Sequence, residues 1–246
     1  MKRYTITILF LFHFFISCED VGAPDCLNSG GEITTQLVKT ENFSALEING
    51  RFEVVITDTT TSGVSITAPK NLIPEIQIEV INHKLIITDN NACDWVRSYD
   101  LPVINILSSN IDYITQNGAG MVRSSNTLTY PKIELVNQYH SGDFALDLNN
   151  EHVIISNNDI SNFYLSGETN LLTIGFFAGD GRCECDKLRA KNVSVFQRGT
   201  NDMVVFPLES LWGRILGTGN LIYKNKPTHI DIVVEGRGQL IDGSNG

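Results

Sequence analysis

Five short segments of the chain line up at a nearly constant interval. GDFAL from Gly142, SNFYL from Ser161, GRCEC from Gly181, NDMVV from Asn201 and GNLIY from Gly219 begin 19, 20, 20 and 18 residues apart. Each runs from a small or turn residue to a polar one, then apolar, variable, apolar. A second column falls between them: Ile133/Leu135, Val153/Ile155, Leu172/Ile174, Val193/Val195 and Gly213/Ile215, at steps of 20, 19, 21 and 20. Two columns with one period predict stacked supersecondary units rather than a sandwich. Alternate side chains of a strand share a face, so the apolar positions predict the interior of a β-solenoid. Gly and Asn at the corners supply backbone conformations that residues bearing a Cβ avoid.

In GTGNLIYKNKP, Gly217 and Gly219 have the look of a phosphate-cradling loop. Such a loop needs a helix start behind the glycines to aim backbone N–H groups at the anion. A strand pattern follows here instead, so the stretch reads as the last regular corner. Pro227 then marks where the repeat gives way to a C-terminal cap built from THIDIVVEGRGQLID.

Upstream of Pro102 the spacing is lost. Strand runs stand at Leu46 to Ile48, Phe52 to Thr57, Val64 to Thr67, Ile76 to Val80 and Leu85 to Thr88, and Asn49-Gly50 is a hairpin signal. An irregular N-terminal β cap is therefore expected over residues 36–100, covering the open end of a solenoid over residues 101–246 and packed with it as one domain. With 42% apolar residues in a chain of 246, a continuous core is affordable.

Lys2 and Arg3 followed by an apolar run from Tyr4 to Ile16 predict a signal peptide over residues 1–17. The run is shorter than the roughly 20 residues of a membrane span. Phe15-Ile16-Ser17-Cys18 resembles a lipobox, with Phe15 where Leu is usual, and Cys18 is the expected lipidation site at the head of a linker over residues 18–35. Glu19 and Asp20 directly after it point to the outer membrane, facing either the cell surface or the periplasm. Export permits disulfides, and Cys26 and Cys93, both in loop-like surroundings, are the candidate pair. The net charge of −10, from 18 basic and 28 acidic residues, becomes −12 once Lys2 and Arg3 leave with the signal peptide. With no basic stripe to offset it, nucleic acid is excluded as a partner.

FSALEINGRFEVVIT, PEIQIEVINHKLIIT, NACDWVRSYDLPVINI and GNLIYKNKPTHIDIVVEGRGQL together resemble the bacterial autotransporter-adhesin head domain of the GIN type, over residues 35–242. Gly219, Asn220, Tyr223 and Pro227 fit that family's terminal run, while Asn225-Lys226 stands where a glycine is more usual. The resemblance implies an all-β, single-stranded right-handed parallel β-helix of about 20 residues per coil and a role in attachment. It supplies no catalytic residues.

Trp95, Arg97 and Tyr99 form the densest aromatic and cationic cluster and are the candidate ligand-binding residues, since rings stack on sugar faces and Arg pairs with carboxylates. The competing reading packs Trp95 over the first coil. Asp143, Asn162, Arg182, Asp202 and Asn220 take the second position of successive coils and predict an outward polar ladder. Interrupted by Arg182, it is too poor in oxygen ligands for calcium and reads as turn-solvating. Asp180 and Asp202 would serve glycoside cleavage only if held roughly 5 to 10 Å apart. Cys183 and Cys185 take inward positions. His13, His83, His140, His152 and His229 form no HxH or CxxC arrangement with them, so buried thiols are expected rather than metal ligands, with a local disulfide as the alternative. No GxSxG, HExxH, GxxxxGK or dinucleotide fingerprint occurs in its required context.

The expectation is thus a non-enzymatic envelope lipoprotein without cofactor or metal. It would be held to the membrane by its lipid and would bind a carbohydrate or a surface protein. A structural scaffold that binds another protein along the solenoid flank is the alternative, and a polysaccharide-active β-helix enzyme the third reading.

Overall fold

The computed structural model describes residues 30–91, 100–138 and 140–244. Among them the chain is nearly all strand. It begins with β1 (Ile33–Val38), β2 (Ala45–Asn49), β3 (Arg51–Asp58), β4 (Gly63–Pro69), β5 (Ile76–Ile81), β6 (Lys84–Asp89) and β7 (Val103–Ser108). There follow β8 (Tyr113–Gln116), β9 (Ala119–Ser124), β10 (Lys132–Asn137), β11 (Asp143–Asn157) and β12 (Phe163–Phe176). The last are β13 (Cys183–Gln197), β14 (Met203–Ile215), β15 (Leu221–Tyr223), β16 (His229–Val234) and β17 (Leu240–Asp242).

From β8 onward every pairing is parallel, and each coil meets the next close to the interval seen in the sequence. On one face Phe144 lies opposite Phe163, Phe163 opposite Cys183, Cys183 opposite Met203, and Met203 opposite Leu221. Toward the N-terminus the same column continues through Val122, Val54 and Ile104. All eight of these side chains are fully buried. The rings of Phe144 and Phe163 stack with centroids 5.0 Å apart. The space between the faces is therefore filled with side chains, as the alternation requires.

On the other face Leu46, Ile114, Leu135, Ile155, Ile174 and Val195 form the matching column. Its final step departs from the sequence reading. Val193 and Val195 lie opposite Leu211 and Gly213, not Gly213 and Ile215. The cause is on β13, where the three residues between Cys185 and Arg189 have no counterpart on β14; Leu208-Glu209 recover only part of that shift.

The N-terminal part is wound out of chain order. β2 lies between β6 and β8, and β3 between β7 and β9, in parallel throughout. The chain thus lays down residues 45–58, leaves to the edge, and returns as β6 and β7 on the outer side. It then steps over its own first coil to continue as β8. Lys84 Nζ on Glu47, at 2.9 Å, and Arg123 Nε on Glu53, at 2.5 Å, pin this coil to its neighbour on either side. The Lys84 hydrogen bond holds the Glu47 carboxyl below its usual range. The irregular N-terminal cap consists of antiparallel strands, with β5 on β6, β4 on β7 and β1 on β4.

Asn49-Gly50 is not a hairpin turn but the corner between the two faces. Gly50 has φ 141°, and a Cβ there would lie 2.6 Å from that of Asp89. The hairpin is β5–β6, whose two turn residues Asn82 and His83 both have positive φ, 51° and 62°, as a type I′ turn demands. At the far end β16 and β17 pair in parallel with β14 and β15, so the repeat runs one coil past Pro227.

Candidate binding face

Cys18, Cys26, Cys93, Trp95, Arg97 and Tyr99 lie outside the described residues. The remaining predicted positions are all placed. The outward ladder forms, and its chemistry is structural. Asp143 Oδ1 accepts both the backbone N–H of Asn162, at 2.7 Å, and its side-chain amide, at 3.0 Å. Asn162 Oδ1 accepts from the Arg182 backbone. Asp202 Oδ1 accepts from Asn220 in the same double fashion, and Asn220 Oδ1 from the Gln239 backbone. Asp143, Asn162, Asp202 and Asn220 each satisfy a corner N–H of the next coil through Oδ1, which leaves these oxygens committed, and the ladder is interrupted at Arg182.

Asp180 and Asp202 do not form a pair. With Cys183 opposite Met203, Asp202 is level with Arg182, and Asp180 is level with Thr200, whose hydroxyl it accepts. Cys183 and Cys185 are both fully buried free thiols with Sγ atoms 3.2 Å apart. The Cys185 thiol beside it, together with burial, pushes the Cys183 thiol well above its usual range. Among the described residues no group of His, Cys, Asp and Glu is placed to share a metal ion.

A column of buried amides was missed in the sequence. Gln116, Asn137, Asn157 and Gln197, all fully buried, stand at the same end of their coils, with Phe176 in this position on the coil between the last two. Asn157 donates to the carbonyl of Asp159 at 3.1 Å and Gln197 to that of Asn201 at 2.7 Å, while Gln197 Oε1 accepts from Gly199 N–H at 3.1 Å. Asn137, Asn157 and Gln197 tie their corner loops to the interior, whereas the buried Gln116 amide has no hydrogen-bond partner among the described residues. The signal was present as an amide at steps of 21, 20 and 40 residues.

The outer side of β11, β12 and β13 carries a groove of about 580 Å³. Tyr164 stands on its wall with 42% of its surface exposed. Its register partners are Ala145 on β11 and Glu184 on β13. The small Ala145 opens the space beside the ring, and Asp147, Glu184, Asp186 and Lys187 line the remainder. Asp147 is fixed by hydrogen bonds from Thr127 and Ser166. A second hollow of about 410 Å³ lies where the long strands turn from one face to the other, lined by Asn150, Glu168, Asn170, Arg189 and Lys191.

The comparisons follow the architecture. The family model described as "Putative auto-transporter adhesin, head GIN domain" matches residues 42–227. Among solved structures, a "putative adhesin" from Bacteroides fragilis superposes with a TM-score of 0.78 at 22% identity, covering 85% of this chain and 96% of its own. A "putative lipid binding protein" from Parabacteroides distasonis gives 0.65 at 16% identity, covering 86% and 98%. A "putative adhesin" from Parabacteroides merdae gives 0.57 at 16%, covering 86% and 97%. At these identities the likeness is one of fold. No curated protein matches the sequence. With three quarters of its length matched by the family model and the same solenoid in its structural neighbours, the chain belongs to the GIN head-domain family.

Proposed function

We infer that this protein is an exported lipoprotein of the cell envelope that works by binding, as an adhesive head, through the outer faces of its solenoid. The observation that carries the reading is the filled interior. Among the described residues, the columns from Ile104 to Leu221 and from Leu46 to Val195 fill the space between the faces with side chains, which favours recognition on the outside. The same packing argues against a lipid held inside, and a bound acyl chain would have to lie on the outer surface. Family membership supports attachment over catalysis.

Among the described residues no helix is long and apolar enough to cross a membrane. In this reading the anchor is the lipid on Cys18, and the part of the expected linker that remains a spacer is the segment ahead of β1, since residues 33–35 already pair with β4. The test is fractionation together with protease treatment of intact cells. Wild-type protein is expected in the outer-membrane fraction and cleavable from outside, and Cys18→Ala is expected in the soluble fraction. Protein protected in intact cells would favour the scaffold reading, and membrane retention of Cys18→Ala would remove the anchor.

A further inference from the structure

We propose that the groove beside Tyr164 is a carbohydrate-binding site that takes a neutral pyranose of a glycan chain; this rests on the adhesive reading above and names its ligand class. Four features converge there. The first is the exposed aromatic ring. Tyr164 projects from the middle of a sheet whose inward neighbours, Phe163 and Leu165, are buried, so its exposure is not a packing requirement. An aromatic face bordered by open space stacks on the C–H face of a sugar ring, while its hydroxyl stays available for hydrogen bonding.

The second feature is the hollow itself. Ala145 replaces bulk with a methyl group directly beside the ring, and about 580 Å³ opens across three coils. The third is the break in the repeat. Tyr164 lies opposite Glu184 but Ser166 lies opposite Lys187, so two residues of β13 face one of β12. On its other side β13 skips register between Cys185 and Arg189. In a stack where β11 meets β12 without a shift, the distortion falls on the strand that supplies Glu184, Asp186 and Lys187 to the groove. Bulges of this kind re-aim side chains. Gly167 fixes the corner just past it, with φ 103° and room for no Cβ, since one would stand 2.0 Å from the carbonyl oxygen of Leu148.

The fourth feature is unspent hydrogen-bonding capacity. Among the described residues the side chains of Tyr164, Glu184, Asp186 and Lys187 make no hydrogen bond or ion pair with one another or with any other side chain. Carboxylates accept sugar hydroxyls through charge-assisted bonds, and an ammonium donates to hydroxyl or ring oxygens. Asp147, already held by two hydroxyl donors, is a pre-set acceptor at the same wall. The charge balance then selects among sugars. Three carboxylates against one ammonium, on a chain of net charge −10, disfavour sulfated, uronic and sialylated glycans. The exposed ring, rather than the charge, favours a sugar over a basic peptide, which the same carboxylates would also attract and which the experiment therefore includes.

The experiment applies the full-length protein to an array of neutral, amino and acidic glycans together with basic peptides. Tyr164→Ala, Tyr164→Phe, Glu184→Gln and Phe177→Ala are run alongside, Phe177 being an exposed ring outside the groove. Wild type is expected to bind neutral glycans. Tyr164→Ala and Glu184→Gln should each weaken that binding about tenfold or more, with Tyr164→Phe and Phe177→Ala close to wild type and all thermal midpoints unchanged. Neutral-glycan binding that survives Tyr164→Ala overturns the site and leaves the adhesive reading intact. Binding confined to acidic glycans or basic peptides overturns the ligand class, as does an absence of binding to every glycan. The protease experiment on intact cells decides the adhesive reading independently of all these results.

Discussion

Cys183 and Cys185 stand two apart on β13, so both side chains turn inward, and the spacing alone placed them there. They fill positions that Met203 and Val205 occupy on β14, as small apolar groups in a packed column. Because the thiolate is the reactive form and burial with a neighbouring thiol raises the Cys183 pKa, the pair should be inert while the protein is folded. Alkylation of native protein at neutral pH followed by peptide mapping should leave the 183–185 peptide unmodified, whereas alkylation in denaturant without reductant should add two groups. A peptide that stays unmodified in denaturant until reduced would show a disulfide instead. The outward Asx ladder was equally legible, because Asp, Asn and Asn-like positions recur at the coil period and short polar side chains at corners bond local backbone. The buried amides Gln116, Asn137, Asn157 and Gln197 were not found. A periodicity search keyed to apolar residues passes over a polar column even when its period is the same.

At the scale of the strand, the repeat from Gly142 to Gly219 was read with the register the structure shows, since Phe144, Phe163, Cys183, Met203 and Leu221 are partners in turn. The step of 21 from Leu172 to Val193 was the trace of an extra residue on β13, but pattern alone could not say that residues 186–188 go unpaired on its other side and pull β14 back by two. The winding order of β2 and β3 was hidden for a related reason. Parallel pairing across 39 residues, as between Leu46 and Leu85, leaves no local mark, and Asn-Gly serves a corner as well as a hairpin. That order has a measurable consequence. β2 and β3 have parallel neighbours on both sides and a fully buried set in Leu46, Ile48, Phe52, Val54 and Ile56, whereas β16 and β17 have a partner on one side and exposed Val233 and Val234. Protection follows such differences in local stability. Hydrogen exchange should therefore be slowest in peptides spanning 45–58 and much faster in those spanning 229–242. Fast exchange over 45–58 would mean that this coil is not locked between its neighbours.

At the scale of the whole molecule the described residues form a filled stack, and the proposed reading places binding chemistry on its outside and a lipid anchor at Cys18. Shape and interior were readable because each coil repeats the same demand for inward apolar groups. The proposed groove was less so. The sequence pointed to Trp95, Arg97 and Tyr99, which are dense in aromatic and cationic character along the chain and lie outside the described residues. The groove at Tyr164 draws its parts from three coils roughly 20 residues apart, and only stacking brings them together. A net charge of −10 over the chain works against general association with nucleic acid and anionic surfaces. The most direct test of the central claim is adhesion under flow to a glycoprotein-coated surface by cells that make the protein, compared with cells lacking it and cells carrying Cys18→Ala. Attachment should fall severalfold in both altered strains and return with the wild-type gene; equal attachment by all three would contradict an adhesive role.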